Sequence, residues 1–345
     1  MENNFTKVIN FTNFPKDLLM NSYKIIKYTS KHYQMWNNFV ANSKNATFLF
    51  HRDFMEYHSD RFQDFSLLVL DEKENLKAIL PANISDSKMF SHQGLTYGGI
   101  VIDSSIKLEK FISIYSEILR FLNENKIETI DFKLIPTIYC LQPSEEINYT
   151  LFLSDAKLIR RDALVTIDLQ SQFKIDSNRI EGVKRAEKLG LEIKKTTDFS
   201  TFWNKVLIPN LEAKHEAKPV HTLAEIQVLQ EKFPNNIVQY NVYQNNDIVA
   251  GTTLFINKKT VHVQYISAIG DKNQHGALDY LFYHLITKEF VDFSYFDFGI
   301  SNENQGKNIN KGLQYWKETF GARTFTQDFY EVVTESYAKL NKIFL

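Results

Sequence analysis

Apolar runs separated by short polar turns recur twice along the chain in the same order. In the first half, SLLVL (Ser66–Leu70) is followed by the turn DEKEN and by LKAILPANI (Leu76–Ile84). The apolar run TYGGIVI comes next, then LEKFISIYSEILRFLNE (Leu108–Glu124) and TIDFKLI (Thr129–Ile135). Positions 108, 111, 112, 115, 118, 119 and 122 put apolar side chains on one helical face, whereas the shorter runs read as strands. In the second half, VQYNVY (Val238–Tyr243), the turn QNND, IVAGTTLFI (Ile248–Ile256) and TVHVQYISAI (Thr260–Ile269) follow one another. A helical stretch from Ala277, apolar at 277, 278, 281, 282, 285 and 286, precedes the strand YFDFGI (Tyr295–Ile300). Matching strands lie 172 positions apart at the start (66 to 238, 76 to 248) and 166 at the end (129 to 295). That constancy suggests a duplication. Chance similarity between two strand-rich segments is the alternative.

Between the halves, SNRIEGVKRAEKLGLEI predicts a helix from Ser177 to Leu189, stopped by Gly190. A second helix begins at HTLAEIQVLQEKF. Its Thr222 and Glu225 have the spacing of a capping box, and Pro234 ends it. The expected domains are 1–165 and 166–345.

Composition agrees with two cores. The 345 residues exceed one ordinary core of about 150. The 43% hydrophobic content, with 28 Phe and 17 Tyr, argues against disorder. Lys plus Arg (40) balances Asp plus Glu (41), so no broad attraction for DNA or anionic membranes is expected. One local basic cluster, Lys184, Arg185 and Lys188 near Arg179, could meet a nucleotide-sugar diphosphate or tRNA, although a solvated amphipathic helix face is the favoured reading. Cys140 is the only cysteine, so no intramolecular disulfide is available, and its apolar run IPTIYCLQP reads as core. With no leader pattern and no run of about 18 apolar residues, a cytoplasmic protein without an integral membrane segment is expected.

The order of meandering strands, packed helix and strand ending in Asp-Phe-Gly resembles the GNAT acyltransferase fold. Two such units in one chain resemble the FemAB-like group. The resemblance is most specific in YFDFGISNENQGKNINKGLQYWKETFGAR, through Asp297, Gly299, Gly306, Gly312–Leu313, Trp316–Lys317 and Phe320–Gly321. It implies an α/β (α+β) fold of two tandem GNAT-like domains, each a mixed, largely antiparallel sheet flanked by helices. The site is expected in the C-terminal copy. The N-terminal copy, whose VIDSSIKLEK has no glycine loop, is expected to shape the acceptor site. GNAT enzymes hold the CoA pyrophosphate on a glycine loop opening a helix. Here DKNQHGALD keeps Gln274 and Gly276, followed by Ala277.

Acyl transfer to an amine needs an oxyanion stabiliser, a base and a proton for the leaving group. The splaying strand of such a fold is expected at Val263–Ala268, with Ile266 and Ala268 toward the donor. Tyr265 and Ser267 are predicted on one face and Gln264 and Ile266 on the other. Tyr265 is a candidate acid, or a half-buried sheet tyrosine. Asp297, in an apolar strand, is a candidate base with a raised pKa, or a structural carboxylate. Glu303 is an alternative base or a solvated loop charge. Ser301, Asn302 and Trp316 are candidate substrate contacts. The resemblance places Lys317 at the reaction centre. His215 and His221, six apart with Pro219 between, suggest a loop over the acceptor, with either histidine as acid or base, or are ordinary surface or cap residues. No third clustered ligand accompanies them, so no metal is expected. His51 and His58, seven apart beside Arg52 and Arg61, share a helical face and are candidates for an acceptor pocket, or for packing.

These readings lead to an N-acyltransferase using acyl-CoA, acetyl-CoA first. The resemblance implies an amine acceptor such as an amino sugar of a surface-polysaccharide or cell-wall precursor. An aminoacyl-tRNA-dependent transferase and a non-enzymatic binding or scaffold protein are the alternatives.

Overall fold

The computed structural model describes residues 23–270 and 275–343. Its strands, β1 to β17 in chain order, form two main sheets. The smaller contains β1 (Lys24–Lys27), β3 (Leu67–Leu70), β4 (Leu76–Leu80) and β7 (Val101–Ile102), all antiparallel. The larger has eleven strands. One end is a meander of β10 (Glu192–Thr196), β11 (Ile237–Gln244), β12 (Asp247–Ile256) and β13 (Thr260–Ala268). Next come β14 (Tyr295–Ile300), β9 (Lys157–Asp168), β17 (Arg323–Val333) and β8 (Thr129–Lys133). The short β6 (Lys88–Phe90), β5 (Asn83–Ser85) and β2 (Gln63–Asp64) complete it. A separate hairpin, β15 (Asn302–Glu303) with β16 (Asn308–Ile309), follows β14.

The two repeated halves exchange strands. β9 belongs in sequence to the first half, yet lies between β14 and β17 of the second. β17, from the second half, lies between β9 and β8 of the first. Neither half completes its sheet alone, and the expected boundary at 165/166 falls inside β9. The expectation of mixed, largely antiparallel sheets flanked by helices is met; the two strand pairings that run parallel are β13 with β14 and β6 with β8.

Helices occupy both faces. Leu108–Glu124 forms as its apolar face predicts and buries Phe111, Tyr115, Ile118 and Leu122 in the N-terminal core. Ala277–His284 buries Leu278, Leu281 and Phe282 in the C-terminal core. A third core joins the halves through Trp36, Phe50 and Phe54 on one side and Phe202, Trp203 and Phe255 on the other. Removing a side chain such as Trp36 or Trp203, both fully buried, costs about 3–5 kcal/mol. The capping box at Thr222 forms: Glu225 N–H donates to Thr222 Oγ1 (3.2 Å) and Thr222 N–H to Glu225 Oε2 (2.7 Å). Ser177–Lys188 is helical, with Gly190 left-handed just beyond (φ 67°). Cys140 is buried and unpaired. No helix of the described residues is long and apolar enough to cross a membrane.

Candidate functional site

β13 and β14 pair only where Thr260–His262 meet Tyr295–Asp297. Beyond that point they part, while β13 stays bonded to β12 as far as Ala268. The free edge lies along Val263–Ala268, where splaying is expected. Backbone groups on it have no strand beside them. Gln264 is an extra residue in β13: Thr253 faces Tyr265, but Leu254 faces Val263. Such a bulge shifts the alternation of faces by one. Val263 therefore joins the C-terminal core, whereas Tyr265 joins the core between the halves. The predicted separation of Gln264 from Tyr265 fails for this reason; Gln264 lines a cavity with His221, which bonds Tyr265.

Asp297 sits where the strands part and is fully buried. Its Oδ2 accepts from Tyr139 Oη (2.5 Å) and His262 Nδ1 (2.9 Å). Its Oδ1 accepts from Thr166 Oγ1 (2.9 Å) and Gly299 N–H (2.8 Å). Gly299 is left-handed (φ 69°), which turns its N–H back onto the carboxylate. Burial alone pushes this carboxyl up. The His262, Tyr139 and Gly299 donors outweigh it, and the net shift is downward. Asp297 is thus an orienting anion and not the raised-pKa base expected. An ionised carboxylate only accepts, so the His262 Nδ1 that faces it carries a hydrogen. Sequence reading missed His262 and Tyr139. The available signal was a histidine two places before Gln264 in the strand expected to splay.

Lys317, on the helix Lys311–Glu318, donates to the carbonyls of Gly299 (3.1 Å) and Ile300 (2.7 Å). Burial lowers its pKa to about 8, with Asp297 pulling the other way. Ser301 is buried, and its Oγ has no partner among the described residues. Three neighbours have structural duties instead of the roles expected. Asn302 Oδ1 accepts from Ala163 N–H (2.7 Å) on the edge of β9. Glu303 is exposed and accepts from Asn310 Nδ2 (3.2 Å), so it does not face a shared site as a base. Trp316 is packed among Phe282, Phe298 and Phe320 in the core and donates to Asp279 (3.2 Å), so it is no substrate contact.

A cavity of about 310 Å³ opens between the halves beside Gln264. Phe54, Tyr57, Phe62 and Phe255 form its apolar walls; His58, His221, Gln264, Lys133 and Arg61 supply its polar groups. His51 and His58 do not share one helix, because the chain breaks into the short pieces Arg52–Met55 and Glu56–His58. His58 reaches the cavity and His51 caps the first piece. Tyr57 stacks on His221 (5.0 Å) and His58 on His92 (4.9 Å). Burial lowers His221 and His58 to about 4 and His92 to about 3. Tyr265 Oη bonds His221 Nδ1 (2.6 Å), and burial raises its pKa to about 12. That hydroxyl is committed to His221 and is poorly suited as the acid expected. His221 lines the cavity as a neutral imidazole.

Residues 271–274 of the expected pyrophosphate loop lie outside the described residues. Gly276 and Ala277 are buried, and a Cβ on Gly276 would lie 2.1 Å from Gly182 O of the helix Ser177–Lys188. Asp279, in the first turn after Gly276, is bonded by Arg179 (2.7 Å). Gln274 and the His215 side chain lie outside the described residues. Ile266 and Ala268 lie in the parted segment of β13, and Lys184 and Arg185 are exposed on the helix that covers Gly276. Among the described residues, no three His, Cys, Asp or Glu are grouped to hold a metal ion.

No family model matches the chain, and no curated protein matches it in sequence. Solved structures do match. FemX aligns over 92% of this chain and 99% of its own, with a TM-score of 0.63 and 11% identity. L-PGS from Bacillus licheniformis aligns over 89% and 93%, with a TM-score of 0.54 and 11% identity. A conserved protein of unknown function from Bacteroides thetaiotaomicron VPI-5482 aligns over 90% and 100%, with a TM-score of 0.54 and 12% identity. At such identities the likeness establishes the fold: a FemAB-like, GNAT-type architecture spanning both halves.

Proposed function

We propose that the chain is a transferase that moves an acyl or aminoacyl group onto an amine at the parted edge of β13. The observation that carries this reading is the parting of β13 from β14 beside His262, whose imidazole is held by the buried Asp297. The acceptor nitrogen attacks the donor carbonyl and a C–N bond forms. Charge gathers on the carbonyl oxygen, where edge N–H groups and the Lys317 ammonium stabilise it. The nitrogen's proton passes to His262 Nε2. The bond to the carrier oxygen or sulfur then breaks, and that atom takes the proton from His262 Nε2.

Acyl-CoA and aminoacyl-tRNA both supply such a carbonyl. The exposed Lys184, Arg185 and Lys188 on the helix over Gly276 favour the polyanionic tRNA as carrier. The acceptor class, an amino sugar or peptide amine of an envelope precursor, rests on the FemAB-like fold. The test is to incubate the full chain with acetyl-CoA or with charged tRNA, offer UDP-amino sugars and short amino-terminal peptides, and follow product mass. Transfer from charged tRNA but not from acetyl-CoA is expected. Turnover with acetyl-CoA alone reverses the carrier assignment. Saturable acceptor binding without turnover from either donor leaves the binding-protein alternative standing.

A further inference from the structure

We infer that the cavity between the halves is a carboxylate pocket, in which Lys133 and His221 donate to the carboxylate of a small ligand and Gln264 accepts from an N–H of the same ligand. Calling that ligand the acceptor rests on the transferase reading; the binding chemistry does not.

The hydrogen-bond arithmetic leads there. Tyr265 Oη accepts from His221 N–H (3.2 Å) and bonds His221 Nδ1 (2.6 Å); the pocket assigns the hydroxyl's own proton to Nδ1. The other ring nitrogen, Nε2, then carries the His221 proton. It is buried on the cavity wall without a partner among the described residues. Lys133 Nζ has three hydrogens and gives one to Leu95 O (2.6 Å). Gln264 Oε1 is also buried and unpartnered. His58 Nε2, on the same wall, is buried and unpartnered too. Buried polar groups are ordinarily bonded, so three orphans lining one cavity mark a place where a ligand supplies the partners.

Charge narrows the ligand. Among the described residues lining the cavity there is no Asp or Glu. Arg61 is already matched at the mouth by Glu225 (2.7 Å) and Asp60 (3.5 Å). Lys133 is left as the cation without an acid against it in the lining, facing a neutral imidazole donor. One negative charge suits that set. A phosphate dianion would keep a charge uncovered among Phe54, Tyr57, Phe62 and Phe255. A volume of about 310 Å³ holds an amino-acid-sized group. An N-acylated amino acid carries both the carboxylate and the N–H that the three polar groups ask for.

The experiment titrates the full chain with N-acetyl-L-alanine, its C-terminal amide and inorganic phosphate, and follows the histidine ring signals by NMR. The acid is expected to shift His221 and His58 saturably while leaving the remote His284 unmoved, and the amide to bind about tenfold more weakly or worse. Lys133→Met is expected to erase the preference for acid over amide. The wild-type comparison stands even where that variant folds poorly. No saturable response to the acid, equal binding of acid and amide, or tighter binding of phosphate would each overturn the assignment. Because no donor is present, failure here is separable from failure of the transfer reaction.

Discussion

The strands β8 and β14 are the same position of the repeat, 166 residues apart, and both carry Asp-Phe. Asp131 and Asp297 match, as do Lys133 and Gly299. Their surroundings differ. Along β8, the short β6 pairs through Phe90, Ser91 Oγ then accepts from Lys133 N–H (2.8 Å), and Gly98 N–H donates to Lys133 O (2.6 Å). That edge is stitched throughout. Along β14, β13 pairs for three residues and leaves. Asp131, 19% exposed, pairs with Lys88 (2.9 Å), whereas Asp297 is enclosed by four donors. The repeat copied a strand, and the neighbouring strand decided whether it became wall or site.

The sharpest way to break this comparison is to truncate the two aspartates. Asp297→Ala strands Tyr139, His262 and the Gly299 N–H in a dry site, with an expected loss of about 3–5 kcal/mol in urea denaturation. Asp131→Ala removes a partly solvated ion pair and should cost at most about 1 kcal/mol. Equal losses would show that the two positions never diverged.

The repeated strands and helices were legible because each is a local apolar pattern; β9 and β17 were not read as strands. Tyr295–Ile300 and Leu108–Glu124 form with the boundaries their sequences suggest. The exchange of β9 and β17 was not legible, because an alternating strand does not encode which strand lies beside it. Nor was the bulge at Gln264, which sends Tyr265 to the opposite face from the one strict alternation assigns. Asp297, Lys317 and His221 could be singled out as unusual residues in apolar or turn contexts. Their partners His262, Tyr139 and Gln264 required the register.

Acid sharpens the comparison by loading the junction of the halves before either aspartate. His58, His92 and His221 have folded pKa values of about 3 to 4, below the unfolded value near 6.5. Their stability contribution is therefore complete above pH 6.5 and is lost as the unfolded chain takes up protons below it. Between pH 6.5 and 5 each should cost roughly 1.5 kcal/mol. Asp297, whose pKa is lowered, loses its contribution only as pH falls below the ordinary carboxylate range. Denaturation curves at the two pH values should show the loss, and His221→Gln should remove one histidine's share. A pH-independent midpoint would mean that these imidazoles are not buried neutral.

The smallest effect on stability separates the halves most cleanly by function. Each half buries one amine near its matched strand, Lys133 on β8 and Lys317 against the end of β14, and burial lowers both to about 8. The unfolded lysine titrates near 10.4, so between the two values the unfolded chain binds more protons and stability rises with pH. From pH 8.5 to 9.5 each lysine should add about 1 kcal/mol, and replacing either by Met should remove its share. In this respect the variants are alike. Under the proposed reaction they differ in kinetics. Lys317 stabilises charge that develops during transfer, so Lys317→Met should lower kcat by about 100-fold or more with KM little changed. Lys133 holds the acceptor before and during reaction alike, so Lys133→Met should raise the acceptor KM by about tenfold and spare kcat. Should both variants lose kcat alone, the cavity and the parted strands would form one reaction centre, and β8 would be more than a wall.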